Sequence, residues 1–199
     1  MTESLIRSAL RQRVLAECTI QDTVDEFWVP RSNERADLVA IGSLLEGFEI
    51  KTDRDTLKRL PRQATAYGRV FDRCTAVVAD RHVSGTAAIV PNWWGITVVS
   101  VNGSVEFVPL RNPQPNPTPD PETLVRLLWK DEVISALRCM GIEPGERTPR
   151  SALWQELLGV ATQAELCQIV RRAILTRNPA RARIPTRRFT KQSPAATGS

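Results

Sequence analysis

Three residues within one short stretch, Asp37, Glu49 and Lys51, carry the groups needed to hydrolyse a phosphodiester without histidine. The segment GFEIKTDRDTLKRLPRQATAY begins at residue 47, and its FEIK portion reads as a strand. Successive strand side chains alternate faces, so Glu49 and Lys51 point one way while Phe48 and Ile50 point the other. Asp37 opens the preceding strand and lies beside them across a hairpin. Carboxylate oxygens are natural ligands of Mg²⁺, and a lysine beside them can hold or deprotonate a water, or stabilise charge on a phosphate. The same three residues on a half-solvated sheet would also form an ordinary cross-strand charge cluster worth under about 1 kcal/mol. Their position favours chemistry: an acid opens one strand, an acid and a lysine sit on the next, and a helix follows.

Other chemistries are narrowed by composition. His82 is the only histidine, which excludes His-rich metal centres and makes any Ser-His-Asp or Cys-His arrangement depend on that one residue. His82 is expected to be structural or solvent-facing. Cys18, Cys74, Cys139 and Cys167 stand singly, without a CxxC pair, and read as buried free thiols. The net charge is +5, but residues 177–199 hold six basic residues and no acid, leaving 21 basic against 22 acidic residues in 1–176. A sequence-independent, salt-sensitive affinity for nucleic acid therefore resides in the tail, unless the tail is a solubilising terminus.

These side chains need a scaffold. Leu5, Ile6, Ala9, Leu10, Val14 and Leu15 recur at helical spacing and predict a first helix over 3–18. EFWV, DLVAI and FEIKT predict an antiparallel meander, with GSLLEG as a tight hairpin connection. Residues 53–72 read as helical, with Pro61 starting a fresh segment. CTAVVAD is a continuous apolar run suited to a strand buried on both faces. TAAIVPNWW reads as a short helix, in which Trp93 and Trp94 pack rather than stack on bases. GITVVSV and SVEFVPL form strands around Asn102-Gly103. Six prolines in 109–121 predict a semi-rigid linker. ETLVRLLWKDEVISALRCMG is expected to be one amphipathic helix, and two more follow. Those last two, bearing Gly159, Arg171 and Arg172, are compatible with either a helix-turn-helix or a packing hairpin. The expected organisation is an α/β domain over 1–108, the linker 109–121, a helical domain over 122–177 and a basic, disordered tail over 178–199.

The pattern Arg35-Ala36-Asp37, a hairpin, Phe48-Glu49-Ile50-Lys51, then a helix with Gln63 and Tyr67 resembles the PD-(D/E)XK nuclease superfamily. GFEIKTDRDTLKRLPRQATAY, VFDRCTAVVADRH and IVPNWWGI further resemble a small bacterial family within it. The resemblance is dense over residues 20–100 and departs from the superfamily in Ala36, where proline is typical. It implies a restriction-endonuclease-like core, α/β with a mixed sheet, built as helix, three-strand meander, helix and strand. It also implies Mg²⁺ or Mn²⁺ held by Asp37, Glu49 and the Ile50 backbone carbonyl, with Lys51 serving the attacking water. Gln63 and Tyr67, four apart on one helix face, would reach the site as a comparable pair does in relatives. Glu26 matches a first-strand acid and is either a further ligand or a carboxylate facing water.

Arg54, Lys58, Arg59 and Arg62 are candidate phosphate contacts, or else a solvated helix face in which Asp55 pairs with Arg59. The expected activity is hydrolysis of DNA by a metal-activated water. The alternatives are a non-cleaving DNA-binding or adaptor protein on the same fold, or a nuclease active only with a protein partner docked on its helical domain. A homodimer is compatible with the sequence. With no apolar run near the roughly 20 residues that span a bilayer and no signal-peptide core, the expected location is cytoplasmic.

Overall fold

A computed structural model of the chain describes residues 2–17, 19–145 and 147–177. Helix α1 (Glu3–Leu15) is followed by strands β1 (Ile20–Trp28), β2 (Arg35–Gly42) and β3 (Leu45–Lys51). A 3-10 turn at Leu57–Arg59 leads into α2 (Leu60–Tyr67), then β4 (Arg73–Val78), α3 (Val83–Ile89), β5 (Gly95–Asn102) and β6 (Ser104–Arg111). The chain continues through α4 (Pro121–Leu124), α5 (Lys130–Cys139), α6 (Arg150–Val160) and α7 (Gln163–Thr176). Among the described residues no helix is long and apolar enough to cross a membrane.

The six strands form one mixed sheet in the order of the chain. Strands β1, β2 and β3 run antiparallel, β3–β4 and β4–β5 are parallel, and β6 returns antiparallel. The parallel pairs need crossovers, and α2 and α3 supply them. Ile6, Leu10 and Val14 of α1, spaced four apart, cover one face with Leu38, Ala40, Phe48, Ile50, Val77 and Val99. Burying each of these side chains except Ala40 contributes about 1.5–3 kcal/mol. The other face is larger. Val39, Ile41, Ala76 and Val78 join α2 and the four C-terminal helices in a single apolar cluster. Phe71 lies so close to Gly47 that a Cβ there would stand 2.5 Å from its ring, which requires glycine at that position.

Residues 122–177 therefore share their core with the sheet. The proline-rich segment is stitched down as well: Gln114 N–H donates to Trp93 O, Asn116 Nδ2 to Gly68 O and Phe71 O, and Asp120 N–H to Arg69 O. Pro109 lies within β6, an edge strand, where a missing N–H is tolerated.

Several expected elements shift. The helix placed on TAAIVPNWW covers Val83–Ile89 and stops at Val90, which is extended (φ −80°, ψ 145°) because Pro91 follows. Trp93 and Trp94 lie in the turn beyond it, and Trp94 is fully buried. The single helix expected from ETLVRLLWKDEVISALRCMG is broken at Leu128. Leu124, Val125, Leu127 and Leu128 are all buried, and one straight helix cannot point four such neighbours at one core. Glu132 starts the new helix by accepting the Trp129 N–H at 2.7 Å. Gly159 lies inside α6, and the turn to α7 is Ala161-Thr162, with Thr162 capping through Glu165. Arg171 faces inward, 3.2 Å from Asp72, so only Arg172 of that pair is exposed. Cys74 is buried and Cys167 partly so, but Cys139 is exposed; Cys18 and the basic tail 178–199 lie outside the described residues.

Candidate active site

The hydrogen-bonded register of β2 with β3 ends at Leu38 opposite Phe48. One step beyond, where Asp37 and Glu49 would face each other, the Asp37 carboxylate accepts the Ile50 N–H at 2.6 Å. Glu49 and Lys51 project from the same strand face, 1% and 8% exposed, with Lys51 Nζ 2.5 Å from Glu49 Oε1. Their strand is flanked by β2 and β4, which explains why two charged groups are so deeply enclosed.

Helix α2 completes the shell. Gln63 and Tyr67, one turn apart, both face β3 and are buried. Gln63 Nε2 donates to Glu49 Oε1 at 2.5 Å, and the Tyr67 hydroxyl meets the other Glu49 oxygen and the Arg35 carbonyl, the latter at 2.6 Å. Trp94 stacks on Tyr67 with ring centroids 5.7 Å apart, and Phe71 meets it edge-on at 5.3 Å, fixing the phenol. Three of the four lone-pair sites of Glu49 are thereby filled. The fourth lies on the oxygen facing Tyr67, and Asp37 has only the Ile50 N–H among its hydrogen bonds.

Electrostatics follow from this enclosure. Burial, then the charge of Glu49, pushes the Asp37 carboxyl up to about 8, against the pull of the Ile50 N–H. Burial also raises Glu49, opposed by Lys51, Tyr67 and Gln63. Tyr67 is raised well above an ordinary phenol by burial and by Glu49. Two enclosed carboxylates thus share one ammonium, a charge balance that an added cation would correct.

Two more carboxylates, those of Glu3 and Glu26, border Asp37. Glu26 falls opposite Asp37 between the paired positions Asp25–Leu38 and Phe27–Ala36, and it carries a left-handed backbone, φ 50°. That kink lets Val24 and Phe27, three apart, both pack on one side of the sheet. Oxygens of Glu3, Glu26 and Asp37 lie within 4.8 Å of one another. Arg7 bonds Glu3 and reaches Glu26 at 2.8 Å; Arg35 Nε is 3.6 Å from Glu26. Burial would lower the Arg7 guanidinium, but the Glu3 hydrogen bond with the charges of Glu26 and Asp37 outweighs it and raises it.

The structure thus brings together Asp37, Glu49, Lys51, Gln63 and Tyr67, with Glu26 beside them. Glu3, Arg7 and Arg35 were missed, since their only signal was a place in a first helical turn or beside a motif. Arg54, Lys58, Arg59 and Arg62 are all exposed. Asp55 does not pair with Arg59; it caps Thr52, while Arg59 and Arg62 share the buried Glu34 at 2.7 and 3.7 Å. His82 is buried with a ring nitrogen 3.1 Å from Thr52 O, a structural pin.

Comparison with known proteins adds a lineage. Protein cII of Enterobacteria phage P4 is 33% identical over 105 residues, an alignment spanning 52% of this chain and 39% of that protein. A solved structure, the SPO1766 protein of unknown function from Silicibacter pomeroyi, aligns over 55% of this chain and 70% of its own at 22% identity and a TM-score of 0.38. The family model described as Bacteriophage P4 protein cII matches residues 2–193, and the chain accordingly belongs to that family.

Proposed function

We propose that this chain is a Mg²⁺- or Mn²⁺-dependent nuclease that hydrolyses phosphodiester bonds of DNA, built on a PD-(D/E)XK, restriction-endonuclease-like core. The observation that carries the reading is the surround of Glu49. A carboxylate 1% exposed is met by Lys51, Gln63 and Tyr67, while Asp37 hangs on the N–H of the very next residue. The order helix, antiparallel meander, crossover helix and parallel strand supports the same core.

The residues present fit a hard divalent cation. The donor set is oxygen throughout, one site on Glu49 and several on Asp37 are free of hydrogen bonds, and the local charge is in deficit of cations. Asp37, Glu49 and the Ile50 carbonyl would hold the ion, with Glu26 as an outer ligand. The chemistry it supplies when bound is Lewis-acid polarisation of a phosphoryl oxygen and a lowered water pKa.

The chain's own groups do the rest. Lys51 keeps one of its three donors on Glu49 and offers the others to the attacking water or to a phosphate oxygen. Gln63 Oε1 is buried without a partner and can accept a hydrogen from that water, while its amide keeps Glu49 in place. Tyr67 fixes Glu49 from the opposite side. Arg54, Lys58, Arg59 and Arg62 offset phosphate charge along the exposed flank.

Purified full-length chain with Mg²⁺ or Mn²⁺ should cleave DNA, and Lys51→Ala should abolish cleavage; equal activity of the two proteins sinks the assignment. The pairing of Lys51 with Glu49 favours a second reading, in which the chain binds DNA without cutting, or cuts only when a protein partner docks on α4–α7. That reading predicts salt-sensitive DNA binding that survives Asp37→Ala and Glu49→Ala.

A further inference from the structure

Trp28 ends β1 with 39% of its surface open, the one exposed aromatic side chain among the described residues. Its register partner is Arg35, and paired residues project to the same side of a sheet. Arg35 Nε lies 3.6 Å from Glu26, whose carboxylate clusters with those of Glu3 and Asp37. The indole therefore opens beside the acidic centre. At the other end of the β1–β2 turn, Arg59 and Arg62 share the single buried carboxylate of Glu34, with side chains 58% and 71% exposed. Two guanidinium groups on one carboxylate leave a net positive charge facing solvent.

A flat apolar ring paired with Arg35, with Arg59 and Arg62 held on Glu34, the residue before Arg35, matches an unpaired base and the phosphates that flank it. Each base has a π-face that an aromatic side chain can stack on, and cations along the groove track the backbone. Bases inside a duplex already have both faces covered by their neighbours. We propose that Trp28 is a stacking platform for an unpaired base, and that the nucleic acid reaches this site as a single strand with Arg35, Arg59 and Arg62 on its phosphates. The inference rests on the nuclease reading and names its substrate class.

The test uses full-length protein in Ca²⁺, which replaces Mg²⁺ to suppress cleavage, and fluorescence anisotropy of a labelled oligothymidylate and a hairpin duplex with the same number of phosphates. The wild type should bind the single strand more tightly. Trp28→Ala should lose about tenfold or more of that affinity with an unchanged salt slope, and Trp28→Phe, which keeps a ring, should recover most of it. Arg59→Ala combined with Arg62→Ala should lower the salt slope instead. Tighter duplex binding, single-strand binding by Trp28→Ala equal to wild type, or equal losses in Trp28→Ala and Trp28→Phe accompanied by lower melting temperatures would each overturn the proposal. If Mg²⁺-dependent cleavage persists in those cases, the nuclease reading stands and only this inference falls. If the wild type neither binds nor cleaves either DNA, both fall.

Discussion

The Tyr67 hydroxyl stands against the Glu49 carboxylate with the Arg35 carbonyl oxygen 2.6 Å away on its other side, and it has one proton to give. Two acceptors and one donor cannot both be satisfied while Glu49 is ionised. The hydroxyl therefore serves one acceptor at a time, while burial raises the Glu49 carboxyl against the pull of Lys51, Tyr67 and Gln63.

Tyr67→Phe should therefore destabilise the protein by about 1–3 kcal/mol, because buried acceptors on Glu49 and Arg35 lose their donor while the ring keeps its stacking on Trp94. Urea unfolding near neutral pH reads this directly. Cleavage should fall as well, since Glu49 loses one of its three positioning contacts. Wild-type stability in the variant would show that the hydroxyl does not tie these strands together.

Asp37 gives the metal-free protein a pH dependence with a definite sign. Its carboxyl ionises near 3.8 when unfolded and at about 8 when folded, so between those values the folded state holds a proton the unfolded chain has released. Stability should fall as pH rises from about 4 to about 8 and level off above. Asp37→Asn, whose side-chain oxygen can still accept the Ile50 N–H, should flatten that slope and be more stable than the wild type at pH 8. Thermal melts in EDTA across this range check it; an unchanged slope in the variant counts against the assignment.

Divalent cations should reverse the loss. Mg²⁺ or Mn²⁺ at a hundred times its dissociation constant adds about 2.7 kcal/mol of stability, and the gain should be larger at pH 8 than at pH 5.5, where protons compete for Asp37. Glu49→Gln should remove most of the metal-induced rise in melting temperature. Calorimetric titration with Mn²⁺ provides a readout independent of cleavage.

Asp72 links the sheet to the C-terminal helices. Its carboxylate accepts the Leu45 N–H at 2.8 Å and Arg171 at 3.2 Å, while its backbone carbonyl accepts the Asn116 N–H. Asp72→Ala should cost about 1–3 kcal/mol by leaving a half-buried guanidinium and a strand-end N–H unpaired. A single cooperative unfolding transition should persist, because α4–α7 share their core with the sheet. Two separated transitions would mean that the helices fold as an independent unit.

Local periodicity made most of the scaffold legible. Alternation in FEIK put Glu49 and Lys51 on one face, and the four-residue spacing of Gln63 and Tyr67 put them on one side of α2; both depend only on backbone geometry. Apolar runs identified β4 and α1 for the same reason. The elements that shifted did so where local signals were ambiguous. Four closely spaced apolar residues at 124–128 suit a helix by propensity, yet burying them all required a break. The Asp55–Arg59 pair, one of the two readings of that helix face, gave way to Glu34, a residue 25 positions from Arg59.

By itself the sequence determined which residues carry charge and which face of its own element each one occupies. Only the tertiary structure decided that Asp37 binds the Ile50 N–H instead of completing the ladder, that the kink at Glu26 gathers Glu3 and Arg7 around it, and that Trp28 is left open. These outcomes depend on how strands splay and how distant segments meet, and no spacing within a single element encodes that.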